Sequence, residues 1–211
     1  MDTKTMPAMP ARIAVLPRDR RGYPVPYSAQ WRSEDETLPV AGVRRLLLPG
    51  VDFTGHICAE TDTIGVGHPQ FANVEPGRQI RCHEHSLCGV CGTQIGRKLT
   101  FVGGDTRDQG QQYYTEAPLH RECARWALAV CPGLLVPHLS HDTILVVSLI
   151  DRNHVTYAGR FVSATGDTHH FDFDNPITTL LKDRMVLMNV VAITDAGTLL
   201  DSRDYMAEWP Q

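Results

Sequence analysis

Four residues able to bind a borderline-soft cation fall into two pairs, Cys88-Gly-Val-Cys91 and His120-Arg-Glu-Cys123, with 28 residues between them. Thiolate sulfur and imidazole nitrogen are the donors that zinc takes in tetrahedral sets of four. Two intervening residues let Cys88 and Cys91 grip one ion from a tight turn, and Gly89 and Gly92 free the backbone to make that turn. His120 and Cys123 are three apart, so on a helix they project from one face. A helix N-terminus there also places a favourable dipole beside the thiolates. The expectation is one structural zinc ion held by Cys88, Cys91, His120 and Cys123, with no position left open for water.

Other groupings compete for chemistry. A Cys-x-x-Cys pair also serves thiol–disulfide exchange, which wants its first cysteine at a helix start. Here Gly92, Thr93 and Gly96 follow, and the His120–Cys123 pair would go unexplained. Cys131 lies about 12 Å beyond Cys123 along a helix, too far to share the ion, and reads as a buried structural thiol. His56 and Cys58 with Cys82 and His85 compose a candidate second metal site. His83 and Glu84 have the composition of a hydrolytic site. His169, His170, Asp172 and Asp174 resemble a divalent-metal cluster, but strand alternation divides them between two faces. No Gly-x-Ser-x-Gly, His-Glu-x-x-His, phosphate loop or dinucleotide fingerprint is present.

The elements that must position the ligands follow from pattern. Arg97–Val102 alternates as a strand should, Gly103-Gly104-Asp105 breaks it, and Gln111–Thr115 reads as the returning strand of a hairpin. Pro118 opens a helix over Leu119–Val130, which Pro132-Gly133 stops. Ahead of this module, Ala11–Leu16 reads as a short strand. Arg18–Pro26 reads as an extended, proline-directed path that splays Arg20, Arg21, Tyr23 and Tyr27 outward. Val43–Leu48 is a strand or a helical turn, and short strands around Phe53–Cys58 and Thr63–Val66 sit among loops. Beyond it, Ile144–Ile150, Thr156–Ser163 and His169–Phe173 are strands, Asn175–Lys182 a short helix, and Val186–Thr194 with Thr198–Leu200 a last hairpin. The fold class is therefore α+β: a treble-clef-like zinc module of knuckle, β-hairpin and helix, flanked by small antiparallel sheets. Residues 1–80 form a basic arm and an irregular β/loop region, 81–140 the zinc module and 141–211 a β-rich region, together one compact unit.

Composition sets limits on function. The chain has 211 residues, 42% hydrophobic and 21% charged, as a globular protein does. Its longest apolar runs fall far short of a membrane span, and its first residues lack the pattern of an export signal. The expected location is cytoplasmic, where six cysteines point to metal or free thiols rather than disulfides. Net charge is −4, so no overall basic field draws the chain onto nucleic acid. The distribution is uneven, however. Arg12, Arg18, Arg20, Arg21 and Arg32 face a single acid, Asp19, over the N-terminal arm, while the residues after His141 are predominantly acidic. Arg18, Arg20, Arg21 and Arg32 are the candidate contacts to nucleic acid or a partner protein, and pairing of opposite charges within the chain is the plainer account.

Two resemblances extend this reading. The Cys-x2-Cys-x28-His-x2-Cys spacing is similar to that of the zinc fingers of poly(ADP-ribose) polymerases, and what it implies is ligation at Cys88, Cys91, His120 and Cys123. Arg12–Pro26, Leu87–Gly92, Ala117–Cys123 and Ala129–Pro132 together resemble a family of uncharacterised proteins from actinobacteria and their phages. That likeness implies a phage or prophage setting without assigning an activity. The expected function is a zinc-binding accessory protein that binds a nucleic acid or a host protein. The alternative is a metal-dependent enzyme with chemistry near His56, His83 or His85.

Overall fold

The computed structural model describes residues 7–32, 43–48, 51–58, 62–104, 107–108, 110–114, 116–131, 145–162, 168–172, 189–195 and 199–207. The strands expected after 143, and the one at 97–102, appear close to where their patterns place them. The fold is α+β, with helices packed on small antiparallel sheets.

The core is built on β5 (Lys98–Gly104), whose five central residues are all buried. It pairs along its whole length with β8 (Leu145–Asp151), from Lys98 opposite Asp151 to Gly104 opposite Leu145. On its far side β8 pairs with β12 (Leu199–Asp201), which runs into the short helix α4 (Ser202–Ala207). A second sheet runs β10 (Thr168–Asp172), β9 (Thr156–Val162), β11 (Asn189–Asp195), β7 (Gln111–Tyr114) and β6 (Arg107–Asp108) in spatial order.

This pairing corrects two expected hairpins. The strand at 111–114 does not return along β5. It turns tightly on β6, with Asp108 opposite Gln111, and joins the other sheet. Likewise β11 pairs with β9 and β7, while β12 pairs with β8. Rings then connect the sheets, Phe101 of β5 stacking on Tyr114 of β7 at 5.2 Å between centroids. The Tyr114 hydroxyl lies 2.8 Å from Ser148 Oγ, itself 3.4 Å from Thr194 Oγ1. All three residues are buried. The helix expected at 175–182 lies outside the described residues.

The N-terminal third differs most from expectation. Ala11–Ala14 is a helical turn, α1, because Pro10 presets the entry and its carbonyl accepts from Ile13 and Ala14. Only Ile13 is buried, so no strand-like alternation had to be met. Arg18–Pro24 is a closed hairpin rather than an extended path. Asp19 accepts from the backbone N–H groups of Arg21 and Tyr23, and Gly22 takes φ +85°. A two-stranded sheet then joins β1 (Ala29–Arg32) to β4 (His68–Val74), the latter beyond the turn at Thr63–Val66 where a strand was expected. β2 (Val43–Leu48) and β3 (Val51–Cys58) form a hairpin.

Pro76–His85 is a helix, α2, in a stretch to which the sequence pattern assigned no element. Pro76 occupies its first turn, and the Glu75 carboxylate accepts from Arg78 N at 2.7 Å. A buried ion pair secures it: Arg78 donates to both Asp62 oxygens, at 2.5 and 3.1 Å, and to Ala29 O at 2.6 Å. Asp62 also accepts from Trp31 N. The pair thus ties α2, β1 and the turn before β4 together. Among the described residues, no helix is long and apolar enough to cross a membrane.

Candidate metal centre

The knuckle begins where α2 ends. Ser86 closes the helix in the left-handed region (φ 50°), and Leu87 N bonds Cys82 O. Cys88 N then donates to Thr93 O, and Gly92 N to Cys88 O, which curls residues 88–93 into one tight turn. Glycine is required twice. At Gly92 φ is +71° and an added Cβ would stand 2.8 Å from the Tyr27 ring; at Gly89 it would stand 2.9 Å from Ala117 Cβ.

Three segments lock this turn in place. Tyr27 N and Ser28 N bond Val90 O and Gly89 O from the N-terminal side. Gly89 N bonds Pro118 O from the segment ahead of α3 (Arg121–Val130). Leu119, the residue before His120, exchanges two backbone bonds with Thr100 in the middle of β5, at 2.7 and 3.1 Å. The buried strand therefore delivers His120 and the first turn of α3 directly over the knuckle. His120 is the N-cap of α3 and Cys123 sits in its first turn.

The ligand atoms of Cys88, Cys91, His120 and Cys123 all lie within 4.8 Å of one another, an arrangement that can hold one metal ion. Cys88 and Cys123 are wholly buried, Cys91 nearly so and His120 half-buried. The imidazole presents Nδ1 to the cluster, 3.4 Å from Cys91 Sγ, and its Nε2 lies 3.2 Å from Gln94 O. A ligating histidine that donates its outer N–H to a carbonyl has its ring orientation and tautomer set by that bond. Thr93 Oγ1 is 3.1 Å from Cys91 Sγ, and His120 N donates to Cys88 Sγ at 3.5 Å, so the sulfurs have polar neighbours suited to a thiolate.

Without a cation the groups share protons unequally. Hydrogen bonds from Cys123 and Cys88 pull the Cys91 thiol well below its usual range, while the same cluster pushes Cys123 far above it. Burial disfavours the His120 imidazolium, but bonding to Cys88 and Cys91 prevails and lifts it to about 10. Cys91 thus carries a thiolate, while His120 and Cys123 hold protons that a cation would have to displace.

Of the remaining candidates, Cys82, His83, His85 and Cys131 have described side chains. Cys82 is fully buried on α2, its thiol pushed up to about 12 by burial and then by the charge of Cys88. His85, three residues on, is exposed. His83 is buried while His85 is exposed, as two residues two apart on a helix must nearly oppose one another. His56 and Cys58 fall on β3, and their side chains lie outside the described residues, as do those of Glu84, His169, His170, Asp172 and Asp174. Cys131 caps α3 at the end away from the cluster and is half-buried rather than fully so.

Four arginines of the N-terminal arm are engaged within the chain. Arg12 pairs with Glu122 of α3 at 3.1 Å, and Arg21 pairs with Asp19 at 3.1 Å while its guanidinium lies over the Tyr23 ring. Burial opposes the Asp19 carboxylate, yet the Tyr23 and Arg21 donors hold it below the usual carboxylate range. Arg20 donates to His68 Nε2 at 2.9 Å. Arg18 donates to Gly22 O and Ala14 O. Arg18, Arg20 and Arg21 are exposed and Arg32 is half-buried. The Arg78–Asp62 pair had no signal in sequence spacing, whereas Glu75-Pro76 was a legible helix start. No protein-family model, curated protein or solved structure matches this chain.

Proposed function

We propose that the protein is a non-enzymatic nucleic-acid-binding protein whose fold is stapled by one structural zinc ion. The observation that carries the zinc is the closed donor set. Three thiolates and one imidazole suit zinc better than the oxygen-seeking cations, and a fourth protein ligand leaves no position for water or substrate. The ligand atoms lie within 4.8 Å of one another, close to the roughly 3.8 Å edge of a tetrahedron with Zn–S bonds of about 2.3 Å. The knuckle and the first turn of α3 read as the two ligand-bearing parts of a treble-clef-like module. Their convergence on one cluster supports a scaffolding role. The resemblance to actinobacterial and phage proteins supports a role as an accessory factor of a phage or prophage.

The contact is assigned to the Arg18–Pro24 hairpin, which is clamped through Tyr27 and Ser28 to the knuckle and carries three exposed arginines. Retention of labelled DNA and RNA by the zinc-loaded protein tests this. Phosphate contacts are strongest at low salt, so binding at low ionic strength that weakens when Arg20 and Arg21 are changed to Ala supports the reading. Undetectable retention there overturns the nucleic-acid assignment and leaves a host protein as the partner.

A further inference from the structure

Arg18 of the hairpin differs from several other arginines of the chain. Arg12, Arg21, Arg78 and Arg97 each face a carboxylate, of Glu122, Asp19, Asp62 and Asp151 respectively. Arg18 is held by neutral acceptors instead: Gly22 O at 2.6 Å, Ala14 O at 3.4 Å and Met9 Sδ at 4.0 Å. Among the described residues no acid pairs with it. These bonds orient the guanidinium and leave its charge uncompensated at close range, the condition in which a fixed cation recruits an oxyanion.

Arg18 also lines a groove of about 360 Å³ between its own hairpin and the turn at Gly65–Gly67. Trp31 and His68 line it too, and the Arg20–His68 bond joins its two sides. Asp19, the acid among the lining residues, has a side chain only 7% exposed and spends its oxygens on Arg21 and Tyr23. Gly65 has φ +84° and nothing within 4 Å of where a Cβ would be, so that wall is open backbone. On the same hairpin Tyr23 is 57% exposed, with the Arg21 guanidinium 5.3 Å from its ring centroid.

We infer that this groove binds one phosphodiester of a single-stranded nucleic acid, with Arg18 on the phosphate and an adjacent base stacked on Tyr23. The inference rests on the nucleic-acid reading above and specifies its site and strandedness. A concave cleft of this size, at the low end of ligand sites, admits a flexible strand and excludes the convex backbone of a duplex. Exposed aromatic faces beside guanidinium groups are the chemistry by which single strands are held without sequence preference.

The test is fluorescence anisotropy of the zinc-loaded full chain with a labelled single-stranded oligonucleotide and its duplex, over a salt series. Arg18→Gln keeps an amide donor for the neighbouring carbonyls but removes the charge. It is expected to weaken single-strand binding about fivefold or more and to reduce the slope of log K against log salt by about 0.7, one phosphate's worth. Tyr23→Ala should weaken binding while Tyr23→Phe retains it, and this pair decides the matter if Arg18→Gln does not fold. Arg203→Ala, on α4, should change nothing. Wild-type binding with Arg18→Gln and Tyr23→Ala unaffected, or a preference for duplex, overturns the groove while sparing the nucleic-acid reading. Wild-type protein that binds neither strand form removes both.

Discussion

Removing the Arg78 guanidinium strands the Asp62 carboxylate in a site where both side chains are at most 5% exposed. Breaking one partner of a buried pair costs about 3–5 kcal/mol, so Arg78→Ala should lower the unfolding free energy from urea denaturation by that amount, and a loss under about 1 kcal/mol would refute the role given to the pair. At Gly92 a side chain meets both a left-handed backbone and the Tyr27 ring. Gly92→Ala should cost about 1–3 kcal/mol and weaken metal retention. Adding Tyr27→Ala should restore only part of the loss, since it removes the steric contact and leaves the backbone strain. The ligands themselves obey a pH rule with a definite sign. His120 is raised to about 10 and Cys123 higher, so a cation must displace protons, and metal affinity should climb as pH rises from 6 towards 9. Competition titrations with a chelator at several pH values would show it, and a flat profile would contradict it. The gathering of Cys88, Cys91, His120 and Cys123 was legible because a shared metal site imposes spacing on a short stretch. Arg78 and Asp62 were not, because a side-chain pair across separate elements leaves no periodic mark.

At the scale of elements, patterns that depend on neighbours in sequence were readable and partner choice was not. β5, β8 and α3 announce themselves through apolar runs and proline stops. Pairing β5 with the next strand in the chain was the local guess, and the structure pairs it with β8, more than forty residues on. Leu99 to Gly103 are all buried, so β5 is covered on both faces although it stands at the edge of its sheet, where Thr100 bridges to Leu119. α2 was missed because its Arg-, Gln- and His-rich sequence shows little apolar periodicity, although the Glu75 cap and Pro76 were visible. The two larger sheets meet at Tyr114, whose hydroxyl bonds Ser148 within the core. Tyr114→Phe keeps the stacking on Phe101 and deletes that bond, so about 1 kcal/mol should be lost. For a chain of this size that is about 2–4 °C in thermal midpoint. No shift would mean the hydroxyls contribute nothing to joining the sheets.

For the molecule as a whole, the knuckle is where distant segments meet. Tyr27 and Ser28 bond it, Glu75 N bonds Ser28 O, Pro118 accepts from Gly89, and Leu119 pairs with the centre of β5. A cation there would stabilise the N-terminal hairpin, α2 and the core sheet together, so its binding energy becomes folding energy. The uneven charge of the chain was legible in sequence. Its resolution was legible only in kind, because Arg12 finds its acid in α3 and not in the acidic C-terminal part. The central claim is one zinc ion on four protein ligands, and native mass spectrometry of purified protein, with metal identified by elemental analysis, tests it most directly. One zinc per wild-type chain is expected, lost in Cys123→Ala and kept in Cys131→Ala. Wild-type protein without zinc, or Cys123→Ala that retains a full equivalent, would contradict it.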